Sequence, residues 1–176
     1  MRNEKGGTLI ELVMVMSLLV LFGFAVYSLV CEGSQAQKRL DSEKSAETNA
    51  RVAASYVDVR LRQNDAGGKI SVEPNGLNGR DSIVIRYRYQ DDPDDDYDVW
   101  IYWANGELRE VLSMAGVTPH WDSGNDIAAV DGFYVSVVNG VVSFTVEYAY
   151  EGTRQKLSET VYLRSGPAQS AGVGSE

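Results

Sequence analysis

The chain has 176 residues, a formal net charge of −9 and one cysteine. That length allows one compact domain beyond an N-terminal helix and not comfortably two. The acidity argues against a broad basic face for nucleic acid and against docking on anionic lipid, and a lone Cys31 forms no internal disulfide.

The chain opens with MRNEKG, residues 1–6, carrying Arg2 and Lys5. Next comes GTLIELVMVMSLLVLFGFAVYSLV, and from Leu12 to Val30 nineteen residues pass without a charge. As a helix that run is roughly 28 Å long, close to the hydrocarbon thickness of a bilayer. In lipid the backbone must satisfy its own hydrogen bonds, so a single span has to be helical. Glu11 is the one break in the apolar pattern, at the N-terminal edge, and an ionisable group in a span points to function. A secretory signal would end in small residues after the apolar run. CEGSQAQKRLDSEK matches that poorly, so the segment is expected to stay in the mature protein.

Lys5-Gly6-Gly7-Thr8-Leu9-Ile10-Glu11-Leu12 followed by an apolar run resembles the processing motif of type IV prepilins and of the pseudopilins of type II secretion and competence systems. The resemblance covers about the first twenty-five residues; the remainder resembles the family in architecture only. It implies that a prepilin peptidase cuts after a glycine on the cytoplasmic side. Matching Glu11 to the fifth mature position places the cut between Gly6 and Gly7, with Gly7 the candidate for N-methylation where the family usually has Phe. A cut after Gly7 would make Glu11 the fourth residue. The resemblance also implies that Thr8, Leu9, Ile10, Glu11 and Leu12 take part in assembly with other pilins or pseudopilins through the N-terminal helix.

Cleavage at that bond would leave an α-ammonium on Gly7, with a reference pKa near 8. Glu11 lies one helical turn further on, where the macrodipole favours a carboxylate. It could partner the amine of a neighbouring subunit and fix the axial stagger; the simpler reading is a flanking charge in the headgroup layer. Arg2 and Lys5 fit a cytoplasmic leader, although Lys38 and Arg39 blur the positive-inside count. Residues beyond about Gly33 are then extracytoplasmic, where Cys31 serves better as a small hydrophobe than as a lipidation site.

The helical period continues in polar form over residues 35–64. Ala46, Ala50, Ala53, Val57 and Leu61 make one stripe, which Val52, Tyr56 and Val59 widen. Lys44, Glu47, Arg51, Asp58 and Arg62 occupy the opposite side. No proline precedes Pro74, so one helix is expected from Thr8 to about Asp65, near 87 Å long, with Gly33 its weak point. Gly67-Gly68 stops it.

The period then becomes two. Ile83, Ile85, Tyr87 and Tyr89 alternate with Val84, Arg86 and Arg88, which reads as a half-buried strand. Residues 99–103 and 108–112 flank Asn105-Gly106, and 133–138 and 141–150 flank Asn139-Gly140, two hairpins with a favoured turn. Glu151-Gly152 leads into 156–163, and a short extra strand fits 69–72. The fold class expected is α+β: a long N-terminal transmembrane-plus-amphipathic helix packed on an antiparallel β-sheet of about five strands, which needs a cover on one face. That is also the architecture the pilin resemblance implies. The resulting boundaries are a leader at 1–6, a transmembrane and assembly helix at 7–33, its amphipathic continuation at 34–66, a β domain at 67–164 and a disordered, small-residue tail at 165–176.

Three groups bear on chemistry. Asp92, Asp94, Asp96 and Asp98 form a calcium candidate in an Asp-rich loop, but Tyr97 stands where an EF-hand loop needs Gly and Trp103 where it needs Glu. A solvated acidic loop is the simpler account. His120 beside Trp121 and Asp122 makes neither a triad nor a zinc site alone and fits a surface loop. Tyr87, Tyr89, Trp100, Tyr102, Trp103, Tyr148 and Tyr150 could stack on bases, but at strand alternation most of them belong to sheet core or cross-strand pairs. The reading is a non-enzymatic structural subunit without cofactor, a minor pilin or pseudopilin. Its expected partners are prepilin peptidase, the cell membrane and other pilins, and it reaches a surface filament after assembly. The competing reading is a signal-anchored, single-pass extracytoplasmic binding domain that never polymerises.

Overall fold

The computed structural model describes residues 5–89, 96–164 and 169–170. The chain divides into two compact units, Met1–Ser42 and Glu43–Glu176. Helix α1 (Lys5–Gln63) supplies the first unit and enters the second. It begins before the expected Thr8, and Gly33 lies within helical backbone. At its end, buried Asn64 turns both its amide side chain (2.9 Å) and its backbone N–H (3.2 Å) onto the Arg60 carbonyl. The Tyr87 hydroxyl donates to Asn64 Oδ1 (2.7 Å). An asparagine side chain thus closes the helix ahead of Gly67-Gly68, satisfying a carbonyl that a helix end otherwise leaves open.

In the second unit the strands form two sheets, where one was expected. The larger holds β1 (Ile70–Glu73), β2 (Ser82–Tyr87), β3 (Tyr97–Ala104), β4 (Glu107–Met114), β5 (Asn125–Ala129) and β9 (Gln169–Ser170), in the order β5-β4-β3-β2-β1-β9. The smaller is the meander β6 (Gly132–Val138), β7 (Val141–Tyr150) and β8 (Thr153–Tyr162). All pairs are antiparallel except β1 with β9. That last pair takes two residues of the tail expected to be disordered. The β3–β4 and β6–β7 turns place Asn105-Gly106 at φ 54° and 84° and Asn139-Gly140 at φ 50° and 78°. Positive φ at both central residues is what lets such a turn follow the strand twist.

The two sheets and the helix share one core. Ala50, Ala53, Val57 and Leu61 are fully buried against Ile83, Ile85, Val99 and Ile101 of the larger sheet and Phe133, Phe144, Val146 and Val161 of the smaller. Two residues expected to widen the stripe, Val52 and Val59, are exposed, and Ala54 is buried in their place. The apolar band therefore turns toward the smaller side chains, because a helix seated over two sheets needs close backbone approach. Tyr56 and Arg60 flank the band. The Tyr56 hydroxyl donates to Glu110 Oε2, Arg60 Nη2 donates to Glu110 Oε1 (2.7 Å) and Arg60 Nε to the Tyr56 hydroxyl (3.0 Å), which ties the helix to β4.

The strand at 82–87 is not half-buried as its alternation suggests. Val84, with Leu77, Trp100, Tyr102, Ala104 and Val111, forms a second cluster on the opposite face, with Trp121 packed against it. Leu77 belongs to η1, a short 3-10 turn (Leu77–Gly79). Strand β5 went unread because it is a polar edge: Asn125, Asp126 and Ala129 are exposed, and only Ala128 is buried.

Substituting Ala53→Leu should lower stability by about 1–3 kcal/mol through overpacking. Val59→Leu, at an exposed position of the same helix, should change it by no more than about 0.5 kcal/mol. Urea denaturation of the full-length protein in micelles, followed by tryptophan fluorescence, measures both.

Candidate functional site

Within the first unit, Ile10–Glu32 is a 23-residue helical stretch long and apolar enough to cross a membrane, and none of it is buried by the described residues. Exposure runs from Ile10 (68%) and Leu12 (63%) to Leu29 (75%), and covers Met14, Leu18, Leu21, Phe22 and Phe24. Those positions fall on every side of the helix, so the stretch has no solvated face. The twelve Leu, Val and Phe residues between Leu12 and Val30 favour insertion by about 4–7 kcal/mol on a translocon scale. A carboxylate at the edge costs less than the ~3 kcal/mol of a charge at the centre, so Glu11, ionised or not, does not disqualify the stretch as a span. Ser17 is no obstacle either, since its hydroxyl donates to the Val13 carbonyl (2.8 Å) inside the helix.

The residues singled out from the sequence fall as follows. Gly6, Gly7, Thr8 and Leu9 lie in helical backbone, and the side chains of Thr8 and Leu9 are outside the described set. Ile10, Glu11 and Leu12 are exposed. Glu11 stands one turn from Gly7 and has no hydrogen-bond or ion-pair partner among the described residues. Gly23 leaves a notch, since a Cβ there would meet nothing within 4 Å. Small residues at such places let membrane helices approach closely.

Of the calcium candidates, Asp92 and Asp94 lie outside the described residues. Asp96 and Asp98 are engaged by protein groups. Asp96 Oδ1 accepts from the Tyr89 N–H (2.6 Å). Asp98 is buried, with Oδ2 accepting from the Gly116 N–H (2.9 Å) and Oδ1 lying 2.8 Å from Arg88 Nη2. Among the described residues no cluster of His, Cys, Asp or Glu is disposed to hold a metal ion. His120 is exposed, with its ring stacked on Trp121 at 5.5 Å and Nδ1 accepting from the Asp122 N–H (3.2 Å). Of the aromatic set, Trp100 and Tyr102 are buried, Tyr87 stacks across strands on Tyr97 at 4.6 Å, and Tyr89 is exposed.

A family model matches residues 48–149, the domain of unknown function DUF4860. The chain belongs to the DUF4860 family. The DUF4860 match takes in the sheet-facing end of α1, β1 to β6 and nearly all of β7, and stops short of the apolar span. It therefore speaks for the β unit. No curated protein and no solved structure matches the chain.

Within the DUF4860 region, sequence reasoning missed the Tyr56–Arg60–Glu110 contact. The available signal was Glu110, a carboxylate at an alternation position shared with buried Leu108. Burial, reinforced by the bond to Glu110, pushes the Tyr56 hydroxyl up to about 12. A raised folded pKa means that stability is complete below the unfolded value near 10 and falls as pH climbs toward 12. Stability measured by urea denaturation should thus decline over pH 10–12, and Tyr56→Phe should flatten that decline.

Proposed function

We propose that this protein is a minor pilin or pseudopilin: a structural, non-enzymatic subunit of a type IV pilus, type II secretion or competence filament. The observation that carries the reading is the apolar helix left uncovered by the described residues, opening on Gly6-Gly7-Thr8-Leu9-Ile10-Glu11 with the carboxylate exposed and without a partner among them. Prepilin peptidase cuts between Gly6 and Gly7 on the cytoplasmic side. The span waits in the cell membrane with the β unit outside, then passes from lipid into a bundle of like helices. Glu11 pairs with the freed amine of a neighbouring subunit, because a charge taken into such a bundle alone costs several kcal/mol. A minor subunit is favoured over the major one, since no disulfide staples the loops.

A signal-anchored binding domain that never polymerises is separated from this reading by processing. Mass spectrometry of the mature protein should show a start at Gly7, with or without a methyl group. A start at Met1 or Arg2 would favour the anchor. Glu11→Ala should still accumulate in the membrane but enter filaments at least tenfold less than wild type, read by immunoblot of sheared filaments.

A further inference from the structure

The β1–β2 turn and the start of β6 enclose an open cavity of ≈ 450 Å³, lined by Asn75, Asn78, Arg80, Asp81 and Tyr134 among others. That size lies within the range of small-molecule sites. The turn, Asn75-Gly76-Leu77-Asn78-Gly79-Arg80-Asp81, holds both asparagines in the left-handed region, at φ 53° and 56°. Its shape is pinned from below. The Asn75 N–H donates to Asp81 Oδ1 (3.1 Å), the Leu77 N–H to Ser82 Oγ (3.1 Å), and the Ser82 hydroxyl to the Arg80 carbonyl (3.3 Å). Leu77 itself is buried in the second cluster. The two side-chain amides therefore stand on a fixed rim, and neither has a partner among the described residues.

Arg80 is fixed by stacking. Its guanidinium carbon lies 4.4 Å from the Trp103 ring centroid and 6.0 Å from that of Tyr134. A stacked guanidinium keeps its in-plane N–H donors for other groups, and among the described residues nothing accepts from them. Tyr134 is 45% exposed. Its hydroxyl donates to Glu147 Oε2 (3.4 Å), and Glu147 is held in turn by Lys156 Nζ (2.8 Å). The ring packs along one edge on Gly132, where a Cβ would come within 3.3 Å of Tyr134 Cε2. An aromatic side chain is thus set in one orientation with part of its ring open.

These walls combine a planar donor fork, a carboxylate acceptor, two amides that both donate and accept, and an aromatic face. The adjacent Arg80 and Asp81 charges offset each other, which does not suit an anion, and the polar rim does not suit an apolar ligand. A neutral polyol with one C–H face suits all five groups. We propose that this cavity binds a neutral saccharide, its ring stacked on Tyr134 and its hydroxyls held by Arg80, Asp81 and the Asn75 and Asn78 amides. Such a site places glycan recognition on the β unit and does not depend on whether the chain polymerises.

The test applies full-length protein, in a zwitterionic detergent without a sugar headgroup, to an array of neutral and sialylated oligosaccharides. Calorimetry then follows with the best neutral binder. At least one neutral glycan should bind, and Tyr134→Ala and Arg80→Ala should each weaken it tenfold or more. Asn78→Gly keeps the left-handed backbone and removes only the amide, so it should weaken binding severalfold with an unchanged Tm. Binding to none of the neutral glycans would overturn the proposal. So would binding confined to sialylated glycans or inorganic phosphate, or affinity for a neutral glycan that all three variants leave intact.

Discussion

The N-terminal span carries apolar side chains around its whole circumference and none of the described residues covers them, from Ile10 at one end to Val30 at the other. Water is a poor environment for such a surface, at about 25 cal/mol for each Å² exposed. Lipid or the apolar faces of other helices suit it better. The backbone tolerates either, because its hydrogen bonds are closed within the helix. In the filament reading proposed above, what a bundle of like helices adds over lipid is a partner for Glu11.

The β unit solves the opposite problem. Its stretch of α1 buries one narrow band and leaves the rest to ion pairs such as Arg51–Glu47 and Arg62–Asp58, worth a few tenths of a kcal/mol each. Alanines at 50, 53 and 54 bring the helix close to two sheets at once, and Val57 and Leu61 fill the space between them. The larger sheet is then covered twice, by the helix on one face and by Leu77 and Trp121 on the other. That second cover fixes the β1–β2 turn, and with it the rim of asparagines beside Tyr134.

Much of this was legible from residue order. Nineteen uncharged residues, the Ala-Val-Leu stripe and the two Asn-Gly turns each have a local physical cause, so each could be read without tertiary context. The division into two sheets could not, because strand alternation reports that a face is buried and not which sheet it belongs to. Val52 and Val59 were misassigned for a related reason: helical period places a residue to within one side of the stripe, and packing decides the boundary. Trp100 and Tyr102 were rightly expected inside, but the loop segment that covers them, with Trp121, carries no periodic signal. The residues proposed for assembly and for ligand binding are a separate matter. Glu11 drew attention by being the one charge at the edge of an apolar run, whereas Asn75, Asn78 and Arg80 sit in an ordinary-looking turn and become a group only when β6 is folded beside them.

The central claim is that the uncovered span leaves lipid for the helices of other subunits. A photo-reactive benzoylphenylalanine in place of Leu18, in the middle of the span, tests it directly in cells that build the filament. The account predicts adducts with the N-terminal helix of another pilin-like subunit, replaced by lipid adducts when the assembly ATPase is removed. Lipid adducts alone, with assembly machinery present or absent, would contradict it.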